Sequence, residues 1–295
     1  MPDYLAFDPH PRAPAPLPPR WACDSQFHVF GDPSRYPAQP SAVYSMPSAT
    51  WEVARKLHAT LGIERGVVVQ ATTYGADHSI VLDALEGLNG GASAKRYVGC
   101  ANAAVLLESS DAYLAQLDDA GVRGARFSRA GLGISFTPKE LERALGRVAE
   151  LGWYVKVQPS AEGIVDQLKD FEHLKLPVVL DHMGRANPAL GLSDPSLDRV
   201  LGLLREGDFW VMLSLSEKIS RTGPPWDDVI PLAQTLIDAA PDRCLWGSDW
   251  PHPISLKQPP NEGLLLELLY RFAPEPATLE RILVTNPARL FGFSS

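Results

Sequence analysis

Eight short runs rich in β-branched residues recur along this chain, each followed by a loop and a helical pattern. That alternation restricts the fold more than any other feature. The runs are 22–29, 66–71 (GVVVQA), 96–101, 122–127 (VRGARF), 153–158 (WYVKVQ), 177–182 (PVVLDH), 209–214 (FWVMLS) and 243–249 (RCLWGSD). Between them lie amphipathic stretches such as 137–150, TPKELERALGRVAE, which opens with a Thr cap, a Pro in the first turn and early Glu residues. Eight strands alternating with helices over about 250 residues match an α/β fold of the (β/α)8 TIM-barrel type. A doubly wound sheet is the alternative, weakened because no Gly-x-Gly-x-x-Gly turn follows the first run.

The organisation expected is therefore a proline-rich, irregular arm over 1–20 and one barrel domain over 21–295. The arm lacks the basic start and apolar core of a secretory signal, and no apolar run approaches membrane-spanning length. A formal net charge of -8 argues against broad nucleic-acid binding. Cys23, Cys100 and Cys244 are scattered without a C-x-x-C pair, which predicts buried free thiols in a reducing cytoplasm. No nucleic-acid or membrane partner is expected, and a homo-oligomer is left open.

Barrel chemistry sits at the carboxyl ends of the strands. Those ends hold Gln26 and His28, Thr72 and Thr73, Arg126 and Arg129, Gln158, Asp181, His182 and Arg185, Ser214 through Lys218, and Asp249 with His252. In DSQFHVF, strand periodicity places Asp24, Gln26 and His28 on one face, with the last two about 7 Å apart. A His-x-His pair there would bind metal, but an amide oxygen is a weak zinc ligand. Asp249, in WGSDWPHP, is placed as a general base for activating water. His28 and His182 would polarise a carbonyl or bind a cation.

Arg126 ends an apolar strand, where an unpaired charge is costly, so it should meet an anion, most economically a substrate carboxylate. Period two turns Asp181 away from His182, into a supporting role. Lys156 shares a face with Gln158 but lies deeper, which puts an ammonium inside the barrel, with Asp24 as an expected partner. His10, His58, His78 and His173 fall in the arm or on helices and read as solvated or packing residues.

The words CDSQFHVFG, YPAQPSAVYSMP, GVRGARFS, VVLDHMGR, GPPWDD, LWGSDWPHP and LVTNPARLFGF together resemble the amidohydrolase-superfamily lactonases, in order from about residue 20 to the end. The likeness is strongest to the 2-pyrone-4,6-dicarboxylate lactonases. It implies a hydrolase that opens a carboxylate-bearing lactone without metal, in breakdown of aromatic compounds or sugar acids. On that resemblance Asp249 is the base, His28 and His182 attend the lactone carbonyl, and Arg126, Arg129, Lys218, Tyr44 and Thr72 grip carboxylates. Gln26, Gln158, Arg185 and His252 complete the expected substrate contacts. Lys218 stands where those lactonases have an arginine, so it offers a point charge without a bidentate fork.

Gln26 and Gln158 are similar instead to D-galactarolactone isomerases, which carry an asparagine where this chain has Asp249. An ionisable acid favours hydrolysis. No cofactor is expected, but His28, His182 and Asp249 leave a single divalent metal such as zinc open, since sulfomuconolactone hydrolases of the wider family are associated with it. The expected partner is a small anionic lactone.

Overall fold

The computed structural model describes residues 4–128, 135–159, 168–186 and 190–294. Its eight parallel strands form one sheet in chain order: β1 (Cys23–Phe27), β2 (Arg65–Val69), β3 (Tyr97–Asn102), β4 (Val122–Ser128), β5 (Tyr154–Gln158), β6 (Val178–Leu180), β7 (Phe209–Leu213) and β8 (Cys244–Trp246). The two edges meet where the His28 N–H donates to the Trp250 carbonyl at 2.7 Å and the Asp249 N–H to the Gln26 carbonyl at 2.9 Å. The sheet thus closes into the predicted barrel. Gly247 permits that closure, since a Cβ there would lie 2.7 Å from the Gln26 Cβ and 3.0 Å from its backbone nitrogen.

Side chains of one parity, including Val67, Val69, Tyr154, Val179, Met212 and Leu245, fill the barrel interior. Phe291 and Phe293 close its amino-terminal end, where the Arg65 guanidinium lies over the Phe293 ring. Residues of the other parity, such as Val68, Val155 and Leu180, join the larger core beneath the helices. That outer layer includes α1 (Trp51–Leu61), α2 (Ser79–Asn89) and the helices Asp111–Ala120, Pro138–Leu151, Pro195–Glu206, Ile230–Ala239 and Glu262–Phe272. The Thr cap expected at 137 forms with a reciprocal Glu140 bond to the Thr137 N–H, satisfying donors at both positions.

Three local departures from the sequence reading shape the site. The β1 register shifts between Asp24 and Phe27, so the two-residue period breaks there. Asp24 consequently turns away from His28. It accepts from the Ser248 N–H at 2.9 Å and faces His58 Nε2 at 3.3 Å. β6 and β8 are shorter than the runs 177–182 and 243–249, because the backbone becomes left-handed at His182 (φ 53°) and Asp249 (φ 60°).

Residues 4–20 contain no helix or strand and lie against the loop after β8 and helix Glu262–Phe272. The Leu5 N–H donates to the Ser255 carbonyl at 3.0 Å, and the Phe7 and Trp250 rings lie 4.9 Å apart. Cys23, Cys100 and Cys244 are buried and free. His58 and His78 are buried packing residues, while His10 and His173 are exposed. Among the described residues, no helix is long and apolar enough to cross a membrane.

Candidate active site

A cavity of about 240 Å³ opens at the carboxyl ends of the strands. Its wall includes His28, Tyr44, Thr72, Arg126, Gln158, His182, Arg185, Lys218 and Asp249, all expected from sequence, with Leu215 inside the expected 214–218 run, and also Pro253 and Ile254, which were not. The last two carry no titratable group, so nothing local marked them. A larger hollow of about 680 Å³ lies on the outside, between helix Pro138–Leu151 and residues 169–176. The barrel mouth is the better candidate because, among the described residues, polar and charged groups from many strands converge there.

Asp249 is 4 % exposed, and its two oxygens have different surroundings. Oδ1 accepts from Gln26 Nε2 at 2.9 Å and faces His28 Nε2 at 3.3 Å. Oδ2 receives no hydrogen bond from the described residues and is not sealed from the cavity. The His28 ring is fixed from its far side, donating Nδ1–H to the Val69 carbonyl at 2.8 Å. Burial alone would raise the Asp249 carboxyl. The charge of His182, the hydrogen bond and charge of His28, and Lys218 outweigh it and hold the group well below the usual carboxylate range. Gln26 therefore orients Asp249 from beneath, where the sequence reading gave it to the substrate. The donors expected at a substrate carbonyl, Gln26 and His28, are here directed at Asp249 Oδ1.

Asp181 and His182 both face the barrel interior, against the period-two expectation. The left-handed turn at His182 brings its side chain round to the side that Asp181 already occupies. Asp181 Oδ1 lies 3.2 Å from Lys156 Nζ, with both side chains at most 1 % exposed. Lys156 is thus inside the barrel as expected, but its partner is Asp181 at the end of the neighbouring β6, not the Asp24 on β1 proposed from sequence. His182 places Nδ1 2.9 Å from Ser214 Oγ and Nε2 3.5 Å from Asp181 Oδ2. Burial pushes His182 below its ordinary value against the pull of Asp181 and Asp249.

Among the described residues, three side-chain cations surround this core. Arg126 is buried, donates Nη2–H to the Gln70 carbonyl at 2.8 Å and has no carboxylate partner among the described residues. Arg185 has neither a hydrogen bond nor an ion pair among them. Lys218 is exposed and donates to the Pro253 carbonyl at 2.7 Å. Opposite them, Thr72 Oγ1 donates to Tyr44 Oη at 3.2 Å, and Ser128 Oγ to Gln158 Oε1 at 2.6 Å. A cavity with three cations and one buried carboxylate favours an anionic ligand. Arg129, expected among the gripping cations, lies outside the described residues.

His252 does not make the substrate contact expected of it. It is fully buried and does not line the cavity; its ring sits between Glu217 Oε1 at 3.2 Å and Glu262 Oε1 at 3.3 Å. Burial alone would lower it, but the two carboxylates raise it to about 9. Sequence spacing put a histidine near Asp249, and only the fold reveals that two glutamates from elsewhere enclose it.

A firmly held zinc needs three or four converging donors. The residues present do not match that demand: among the described residues, no three His, Cys, Asp or Glu side chains converge as a ligand set. Asp249 Oδ1 is occupied by Gln26 and His28, and both His182 nitrogens have protein neighbours.

A closed eight-stranded barrel with a polar, cation-rich site at its carboxyl mouth has the architecture of an enzyme. The Amidohydrolase family model matches residues 23–293, and the chain belongs to that family. It is 38 % identical over 280 residues to a 4-sulfomuconolactone hydrolase of Hydrogenophaga intermedia, covering 91 % of this chain and 88 % of the relative. It is 36 % identical over 300 residues to a 2-pyrone-4,6-dicarboxylate hydrolase of Comamonas testosteroni, covering 98 % and 96 %. An apo crystal structure from Agrobacterium tumefaciens superposes with a TM-score of 0.80 at 28 % identity, covering 96 % of this chain and 99 % of the other.

Proposed function

We propose that this chain hydrolyses a small lactone bearing one or two acid groups, using Asp249 to activate water and no metal ion. The observation that carries the reading is the asymmetry of Asp249. One oxygen is fixed by Gln26 and His28, and the other is free toward a cavity lined by three cations. Water bound at Oδ2 loses a proton to the carboxylate as its oxygen attacks the lactone carbonyl carbon. The carbonyl oxygen becomes an oxyanion stabilised by the cavity's cations, Arg185 foremost, because it has no other partner among the described residues. Collapse re-forms the carbonyl, breaks the ring C–O bond and returns the proton from Asp249 to the departing ring oxygen. Arg126 and Lys218 hold acid groups and orient the ring, which converts encounter into a near-unimolecular step.

A carboxylate held far below neutrality is a modest base in water, but here it meets a nucleophile placed against it and a cation-stabilised product. The names of the two hydrolase relatives support a lactone substrate. The buried free thiols support a reducing, cytoplasmic location.

The test is turnover of a lactone panel in ¹⁸O-labelled water with metal-depleted enzyme. Hydrolysis places one label in each ring-opened acid. A shifted lactone with no label would replace the reading with isomerisation. Activity lost on chelation and restored by zinc would overturn the metal-free part.

A further inference from the structure

We propose that His252 is a positioning residue that fixes the reach of Lys218 and so sets the preference for substrates with a second acid group at the cavity mouth. The proposal rests on the acid-binding reading of the site and extends it to the loops that build one wall.

The ring joins two otherwise separate pieces of chain. Glu217 belongs to the short helix Ser216–Ile219 after β7, and Glu262 begins helix Glu262–Phe272. The remaining oxygens, Glu217 Oε2 and Glu262 Oε2, are buried without a hydrogen-bond partner, so the imidazole is the sole hydrogen-bonding side chain for each carboxylate among the described residues. Two acceptors on one ring need two N–H donors, which only the imidazolium supplies. The raised affinity of this ring for its proton agrees with that requirement.

The connections run on from there to the cavity. The His252 N–H donates to the Asp249 carbonyl at 2.7 Å, tying the bracket to the base's own turn. Lys218 follows Glu217 directly, and its Nζ donates to the carbonyl of Pro253, the residue after His252. The β7 and β8 loops are therefore joined twice, once through Glu217 and His252 and once through Lys218 and Pro253. Lysine has a long unbranched stem that explores many rotamers unless its base is held. With the bracket in place, Nζ stays at the mouth with N–H groups to spare for a ligand. Glu217 is the arm most ready to leave, because its side chain is 9 % exposed while that of Glu262 is 0 %. Its departure would carry Lys218 with it. Arg126, on β4, has no link to this bracket, so an acid group bound there should not sense it.

The experiment compares binding of isophthalate, a ring with two carboxylates, and benzoate, with one, by calorimetry at pH 7.5. His252→Gln is expected to weaken isophthalate about tenfold or more, the scale of one lost charged contact, and benzoate less than about threefold. Adding Lys218→Met to His252→Gln should cost nothing further, because both act on one contact. For a reactive diacid lactone, KM should rise with kcat within about threefold. Glu217→Gln is the second variant, should His252→Gln fail to fold: it keeps the His252–Glu262 pair and should show the same selective loss.

Equal weakening of both acids, or additive effects of the His252 and Lys218 variants, would overturn the proposal. A wild-type protein that binds isophthalate no better than benzoate would overturn it as well. Binding of neither acid by the wild type would remove the acid-binding reading and the bracket's role with it. Because the readout is equilibrium binding, it holds whether the chain hydrolyses or isomerises its lactone.

Discussion

Replacing Asp249 with asparagine is the most informative single change, because it preserves shape and removes only the proton acceptor. The structure indicates how the new side chain would settle. Gln26 Nε2 and His28 Nε2 both approach Oδ1, so the asparagine oxygen takes that place and its NH₂ group takes the position of Oδ2. The side facing the cavity then changes from an acceptor to a donor, and water there can no longer be deprotonated. A general base contributes about 10²–10⁴ in rate, so the barrier should rise by about 2.7–5.4 kcal/mol.

Binding should not suffer, since removing a negative charge leaves the three cations unopposed. Ring opening followed by loss of lactone absorbance gives kcat and KM, and a non-reactive diacid gives Kd independently. The expected result is a loss of about 100-fold or more in kcat, with Kd for the diacid unchanged or lower. Turnover within about tenfold of wild type would refute the assignment of Asp249 as the base.

Arg126→Ala should raise KM for diacid lactones about 10- to 100-fold, the range for a hydrogen bond to a charged group, while a neutral lactone changes less than about threefold. Equal effects on both would mean that Arg126 does not hold a carboxylate. Lys156→Met leaves buried Asp181 with only His182, 3.5 Å away, as an ion-pairing neighbour among the described residues, which should cost about 3–5 kcal/mol and lower Tm by on the order of 10 °C. Adding Asp181→Leu should restore much of that loss, and a double variant no more stable than the single one would count against the pair. For stability against pH, the buried His252 binds its proton more tightly in the folded state, with its pKa raised from 6.5 to about 9. That contribution, up to about 3 kcal/mol, is complete below pH 6.5 and disappears as pH rises through 9. Tm measured from pH 7 to 10 should fall more steeply for wild type than for His252→Gln, and parallel curves would contradict the bracket's charge.

Much of the site was readable because barrel chemistry is confined to strand ends, and strand ends are local. Runs such as VRGARF alternate in a way that neighbouring residues alone enforce, so Arg126 falls where the pattern puts it. The Thr137 cap and its helix were legible for the same reason. Errors came where backbone geometry departs from the regular period. The register shift after Asp24 sends that carboxylate outward, and the left-handed turn at His182 brings two consecutive side chains to one side.

By itself, the order of residues determined the count of strands, the barrel they close into and the set of polar groups delivered to one rim, because these depend on period, turn chemistry and chain direction. Only the tertiary structure decided which groups act on one another. Gln26 reaches Asp249 across 223 positions of sequence, Lys156 chooses Asp181 over Asp24, and His252 turns from the cavity to two glutamates. Such choices follow from burial: a charge removed from water must find its partner among whatever side chains the closed barrel places within a few ångströms, and no local pattern records that distance.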